Sequence, residues 1–161
     1  MSEPTVIPWR QEAIICHSQR LLRSFLYWTG TPLLAASGSP AAIAEALFEA
    51  PFVVVSHGTE ADPILNYGNR TALTLWEMDW QQLTQTPSRY TAEPIEREER
   101  AQLLEQARQK GYIDNYKGIR ISQTGKRFRI ENAVIWDVLD ETGDRCGQAA
   151  TFSHWVMITT P

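Results

Sequence analysis

Between Phe128 and Val138 apolar side chains recur at every second position, at Phe128, Ile130, Val134, Trp136 and Val138, and one polar residue, Asn132, interrupts them. A period of two belongs to a strand with one buried face. The later run to Ile158 has the same extended character, and Glu141-Thr142-Gly143-Asp144 lies between the two as a turn. Residues 126–158 therefore predict a hairpin of two long strands within a sheet. Asn132 carries a choice: either the protein satisfies its amide or a ligand does.

Ahead of the hairpin the period becomes helical. Ile14, Ile15, Leu21, Leu22, Phe25 and Leu26 predict an amphipathic helix from Pro8 to Trp28, which Gly30 ends. Residues 29–40 are rich in Gly, Pro, Ser and Thr, and Ser39-Pro40 offers a cap for a short helix reaching Glu49. Residues 1–40 thus read as an N-terminal helix and linker, and 41–161 as the main domain. Phe52 to Ser56 and Pro63 to Tyr67 predict two short strands around a polar turn. Asn69 can cap a helix over Arg70 to Trp76, and a turn or two of helix is expected near Gln81 to Thr84. Pro94 opens a longer helix with charge pairs such as Glu96 with Arg100 and a narrow stripe of Leu103, Leu104 and Ala107, closed by Gly111. Lys117 to Ser122, with Ile119 and Ile121 on one face, is the strand before the hairpin. The order is two strands, helices, then three strands.

Composition narrows the function classes. At 161 residues the chain can bury a real core, and its net charge of -4 gives no field that attracts phosphates, so no direct nucleic-acid partner is expected. The two cysteines, Cys16 and Cys146, lie in different predicted elements without metal-ligand spacing, which suits reduced thiols. No charge-free run is long enough to span a bilayer and the N-terminus lacks the pattern of a secretion signal, so a cytoplasmic protein is expected.

Three separated segments, PILNYGNRTALTLWE, TPSRYTAEPIEREER and YKGIRISQTGKRFRIENAVIWDVLDETGDRCGQAATFSHW, resemble the MEKHLA domain family, a PAS-like group, over about Ile43 to Met157. The resemblance implies an α+β fold: a PAS-like antiparallel five-stranded sheet with helices on one face, here with an N-terminal helical extension. It implies stand-alone proteins of cyanobacteria and other bacteria, and in plants a C-terminal domain of homeodomain-leucine zipper factors. The hexapeptide that names the family is absent, as are a homeodomain and a zipper, so a transcription-factor role is not carried over. Light-sensing PAS relatives use a flavin-reactive cysteine on a central helix, and no cysteine stands between Tyr67 and Gly111.

Asn132 and Gln148 are the sharpest ligand-binding candidates, because adjacent strands can bring both amides onto one wall, where an amide offers donors and acceptors to a ring. The structural alternative puts Asn132 at a bulge and Gln148 in solvent. Phe128, Trp136 and Phe152 either wall a pocket or fill a core. Arg89, beside Ser88 and Tyr90, can close over an anion or pair with a carboxylate such as Glu93, and Arg120 is weighed with it. His17, His57 and His154 lack metal spacing; haem would need a single proximal histidine, which leaves His57 and His154 open. No nucleophile elbow or paired carboxylates stand out, so no enzyme is expected. Leu21, Leu22, Phe25 and Trp28 on the first helix either make a dimer or partner contact or cover the chain's own sheet. The expectation is a non-enzymatic sensory or regulatory module binding a small molecule or protein, working as a homodimer, with no cofactor assignable. The alternatives are a ligand-free interaction or assembly module and, further behind, an uncharacterised small enzyme.

Overall fold

The computed structural model describes residues 7–91, 98–99, 101–103, 105 and 109–158. A 3-10 turn at Pro8–Arg10 leads into α1 (Glu12–Thr29), which ends at Gly30 in the left-handed region, φ 74°. Pro8 therefore starts a 3-10 turn rather than α1 itself. In α2 (Pro40–Phe48) the Ser39 side chain accepts from Ala42 N–H at 3.1 Å. Next come β1 (Val53–His57), β2 (Leu65–Gly68), α3 (Arg70–Trp76) and α4 (Trp80–Leu83). Asp79 and Gln82 close a reciprocal capping box on α4. Of the helix expected from Pro94 to Gly111, residues 98, 99, 101–103, 105, 109 and 110 are helical; Pro94, Glu96, Arg100, Leu104 and Ala107 lie outside the described residues. The chain then forms β3 (Tyr112–Ile121), β4 (Arg127–Leu139), β5 (Arg145–Phe152) and β6 (His154–Ile158).

All pairings are antiparallel, in the order β2-β1-β5-β4-β3. β5 pairs the second half of β4 and β6 its first half, so the last two are one long strand broken at Ser153. The expected five-stranded antiparallel sheet with helices is the one observed.

Asn132 is explained by backbone geometry. It sits at φ 53°, and Asn115 on the neighbouring strand at φ 56°. Asparagine tolerates this left-handed region better than other residues with a Cβ. Ile113 pairs Ile135, Tyr116 pairs Ala133 and Gly118 pairs Ile130, so β3 carries one extra residue around Asn115 and β4 one around Asn132. The two bulges compensate in register, but each reverses the alternation of its own strand. Phe128 and Ile130 consequently share a face with Ala133 and Ile135, whereas Trp136 and Val138 lie on the other face. The apparent single stripe from Phe128 to Val138 is thus two half-stripes, and Asn132 at the junction is exposed.

Each face has its own core. On one, Ala72 and Trp76 of α3 pack against Val53, Phe128, Ile130, Ala133, Ile135 and Phe152. On the other, Leu21 and Phe25 of α1 and Leu47 of α2 pack against Val54, Tyr67, Trp136, Val138 and Ala149. The N-terminal helix therefore folds back over the chain's own sheet. Phe25 meets Trp136 edge-on with ring centroids 5.0 Å apart, Ser24 Oγ accepts from Leu139 N–H at 2.8 Å, and the Trp28 indole donates to Asp137 O at 2.8 Å. Leu21 and Phe25 are buried and Leu22 and Trp28 half-buried in this packing, so of the two uses open to this stripe the chain's own sheet takes it. Full burial of a leucine or phenylalanine contributes about 1.5–3 kcal/mol.

Asn69 ties the two layers together. It is fully buried; its Oδ1 accepts from Ala72 and Val54 N–H, and its Nδ2 donates to Leu47 O and Phe52 O. One side chain thereby caps α3 and fixes the end of α2 against β1.

Candidate functional site

A cavity of about 50 Å³ lies between the α3-facing side of the sheet and α3. Its walls come from β1 (Val55, His57), α3 (Trp76), the turn residue Thr91, β3 (Tyr116, Arg120), β4 (Ile130, Ile135) and β5 (Gln148, Ala150, Phe152). Trp76 packs edge-on against Phe128 at 5.4 Å and Phe152 at 6.1 Å, which fixes the apolar wall. Its buried indole N–H has no hydrogen-bond partner among the described residues.

The polar wall follows from the pattern of β3. Tyr116, Gly118 and Arg120 stand at alternate positions and share the inward face, whereas Ile119 and Ile121 are only half-buried. Gly118 leaves the space in which its neighbours meet: a Cβ there would lie 2.6 Å from Tyr116 Oη and 3.1 Å from Arg120 Nη1. Arg120, 5% exposed, donates from Nη2 to Tyr116 Oη at 2.9 Å and from Nη1 to Ile119 O at 3.0 Å. Gln148 is buried, and its Nε2 donates to Asp137 Oδ1 at 3.2 Å, an oxygen that also accepts from Arg145 Nε at 3.1 Å. His57 donates from Nδ1 to Gly58 O at 2.8 Å.

Of the residues expected at a ligand site, the fold brings Arg120, Gln148 and Phe152 together in this cavity. Asn132 is not in it, because the left-handed bulge turns the side chain out to solvent. Trp136 is not in it either, because the same bulge sends it to the α1 face. Phe128 is fully buried in the core beside the cavity without lining it. Arg89 is distant in kind: its Nε reaches both Asp62 oxygens at 3.1 Å and its guanidinium stacks 4.2 Å from the Tyr90 ring, at the surface. That pairing raises the Arg89 pKa. Glu93, the partner anticipated for it, lies outside the described residues.

Tyr116, Trp76 and Thr91 are lining residues that the strand and helix patterns left unmarked. The signal for Tyr116 and Arg120 was the spacing Tyr-x-Gly-x-Arg, in which the inward positions of a strand are the polar ones.

The histidines separate. His57 and Ser56 are neighbours on β1 and point to opposite faces; Ser56 Oγ donates to Asn66 Oδ1 at 2.5 Å and meets His17 Nε2 of α1 at 2.9 Å. The serine's one hydrogen is then used, so His17 Nε2 is the donor of that pair. Burial, followed by the nearby Arg20 charge, lowers the His17 pKa to about 4. His154 is exposed. Among the described residues no three His, Cys, Asp or Glu side chains stand together in a way that could hold a metal ion. No described helix is long and apolar enough to cross a membrane.

Sites for drug-sized ligands measure roughly 300–1,000 Å³. The cavity bounded by the described residues does not admit a flavin or a haem at its present size.

The sheet order, the helix across one face and the cavity between them define a PAS fold, which solved structures bear out. The PAS domain of a protein from Colwellia psychrerythraea superposes with a TM-score of 0.60 at 16% identity, covering 72% of this chain and 93% of that one. A light-oxygen-voltage domain studied with a flavin analogue gives 0.57 at 14% identity, covering 73% and 84%. A PAS domain from a two-component sensor histidine kinase gives 0.55 at 17%, covering 71% and 91%. Within that class the chain belongs to the MEKHLA domain family, whose model matches residues 15–157. No curated protein matches it in sequence.

Proposed function

We propose that this chain is a non-enzymatic sensory module that takes a small molecule into the cavity beside α3 and reports its occupancy through α1. The observation that carries this is a short bonded route between the two. Gln148 lines the cavity and donates to the Asp137 side chain; the Asp137 carbonyl accepts the Trp28 indole at the end of α1. A ligand that competes for the Gln148 amide alters the Asp137 position, and with it the seat of α1. The response is a population shift between two α1 arrangements, as large as the ligand's differential affinity for them.

A proton NMR titration with a panel of small organic molecules tests this. Saturable shifts of the Gln148 side-chain amide accompanied by the Trp28 indole support it. Shifts that stop at the cavity remove the relay from the proposal.

The small cavity favours a second function, a ligand-free interaction or assembly module, which predicts no saturable binder in the same panel. A homodimer belongs to either version. Because Leu21 and Phe25 are buried on the chain's own sheet, it would use other surface, and the exposed Leu26 and Tyr27 of α1 are the available apolar residues there. Sedimentation equilibrium distinguishes one chain mass from two.

A further inference from the structure

We propose that the cavity's ligand is a short-chain monocarboxylate held by Arg120; this rests on the cavity being a ligand site. The first support is the charge. Arg120 is buried, yet no carboxylate among the described residues pairs with it. Two of its five N–H groups are engaged, one by a hydroxyl and one by the neighbouring backbone carbonyl. A buried cation without a counter-charge is unfavourable, and an anionic ligand would supply that charge.

The second support is the balance of donors and acceptors. Trp76 also lines the cavity, and its indole N–H is a buried donor without a described partner. Tyr116 Oη accepts from Arg120, which leaves its own hydrogen to donate. Guanidinium, indole and phenol therefore all offer hydrogens, and an ionised carboxylate is an acceptor-only group that can take them.

The third support is size and polarity. At roughly 10–15 Å³ per water-sized group, a cavity of about 50 Å³ holds about four non-hydrogen atoms. Ile130, Ile135, Ala150 and Phe152 make the remaining wall apolar. A uniformly polar anion such as nitrate would leave oxygens facing those side chains without partners. A carboxylate with one or two carbons beyond it places its polar end at Arg120 and its tail on the apolar wall.

The test is NMR titration at matched ionic strength with sodium propionate, its neutral isostere propionamide, and sodium nitrate. Propionate is expected to shift the cavity resonances saturably and to bind about tenfold or more tightly than propionamide, with nitrate weaker still. Arg120→Met removes the charge and is expected to abolish that preference. Gly118→Ala keeps every charge but puts a Cβ against Tyr116 Oη and Arg120 Nη1, whose flexible ends can move, so it is expected to weaken propionate in a folded protein. Equal binding of propionamide and propionate at the same resonances overturns the carboxylate assignment and leaves the cavity as a ligand site. Undiminished propionate binding in Arg120→Met also overturns it. If no probe shifts a cavity resonance, the assignment and the ligand-site proposal fall together.

Discussion

Replacing Asn132 separates a backbone role from a ligand-binding one. At φ 53° a glycine is unstrained, whereas a β-branched side chain meets the full steric cost of the left-handed region. That cost is about 1–2 kcal/mol for an ordinary L-residue. The Asn132 side chain is exposed, so its removal deletes no buried contact that would offset or enlarge the backbone effect. Asn132→Gly is therefore expected to lie within about 0.5 kcal/mol of the parent, a normal surface change. Asn132→Val is expected to be about 1–2 kcal/mol less stable, a Tm lower by roughly 2–8 °C for a chain of this size. Urea unfolding at constant slope, alongside thermal melts, measures both. If glycine is as damaging as valine, the amide itself matters and the bulge explanation fails. The same follows if Asn132→Gly removes ligand binding while leaving the fold intact.

Two further outcomes come from buried groups. Asn69→Ala deletes a helix cap, strands Val54 N–H in the interior and takes a donor from the Phe52 and Leu47 carbonyls, the latter keeping Ala50 N–H, so a loss of about 2–3 kcal/mol is expected by denaturant unfolding; a loss under about 1 kcal/mol would show that water replaces those bonds. His17 is neutral in the fold down to about pH 4 but takes a proton near 6.5 once unfolded. The unfolded state therefore binds the proton first, and stability is expected to fall by about 3 kcal/mol as pH drops from 6.5 towards 4. Glu77 and Glu141, held by hydrogen bonds at pKa values of about 2, lose their stabilising effect only below their ordinary value near 4.5. A slope between pH 6.5 and 5 is therefore not theirs, and His17→Gln is expected to flatten it; an unchanged slope would show that another group titrates there.

What was legible in the chain is mostly local. Gly30, Ser39 and Asn69 mark their helix ends because capping is decided within a few residues, and Glu141 to Asp144 forms its turn through Asp140, whose Oδ1 accepts from Thr142 and Asp144 N–H. The extent of β3 was not legible, because the Asn115 bulge breaks the alternation that would have joined Tyr112 to Ile121. The pairing of β1 with β5 joins strands about a hundred residues apart, and no local signal sets it. The site suffered most from period-two reasoning. One left-handed residue moved Trp136 off the cavity face, whereas Arg120, a candidate from the outset, is the inward residue between the half-buried Ile119 and Ile121. The destination of α1 was open because an apolar stripe reads the same whether it meets a partner or its own sheet.

The link between cavity and α1 can be examined without knowing the ligand. Ala150 lines the cavity on β5, and Ala150→Val adds two methyl groups to that space. The indole N–H of Trp28, bonded to Asp137 O across the sheet, reports the seat of α1 in a proton–nitrogen spectrum. If occupancy travels by Gln148 and Asp137, Ala150→Val shifts the Trp28 indole resonance, and adding Gln148→Leu suppresses the shift. A Trp28 resonance that stays in place while the neighbours of residue 150 move would contradict the coupling.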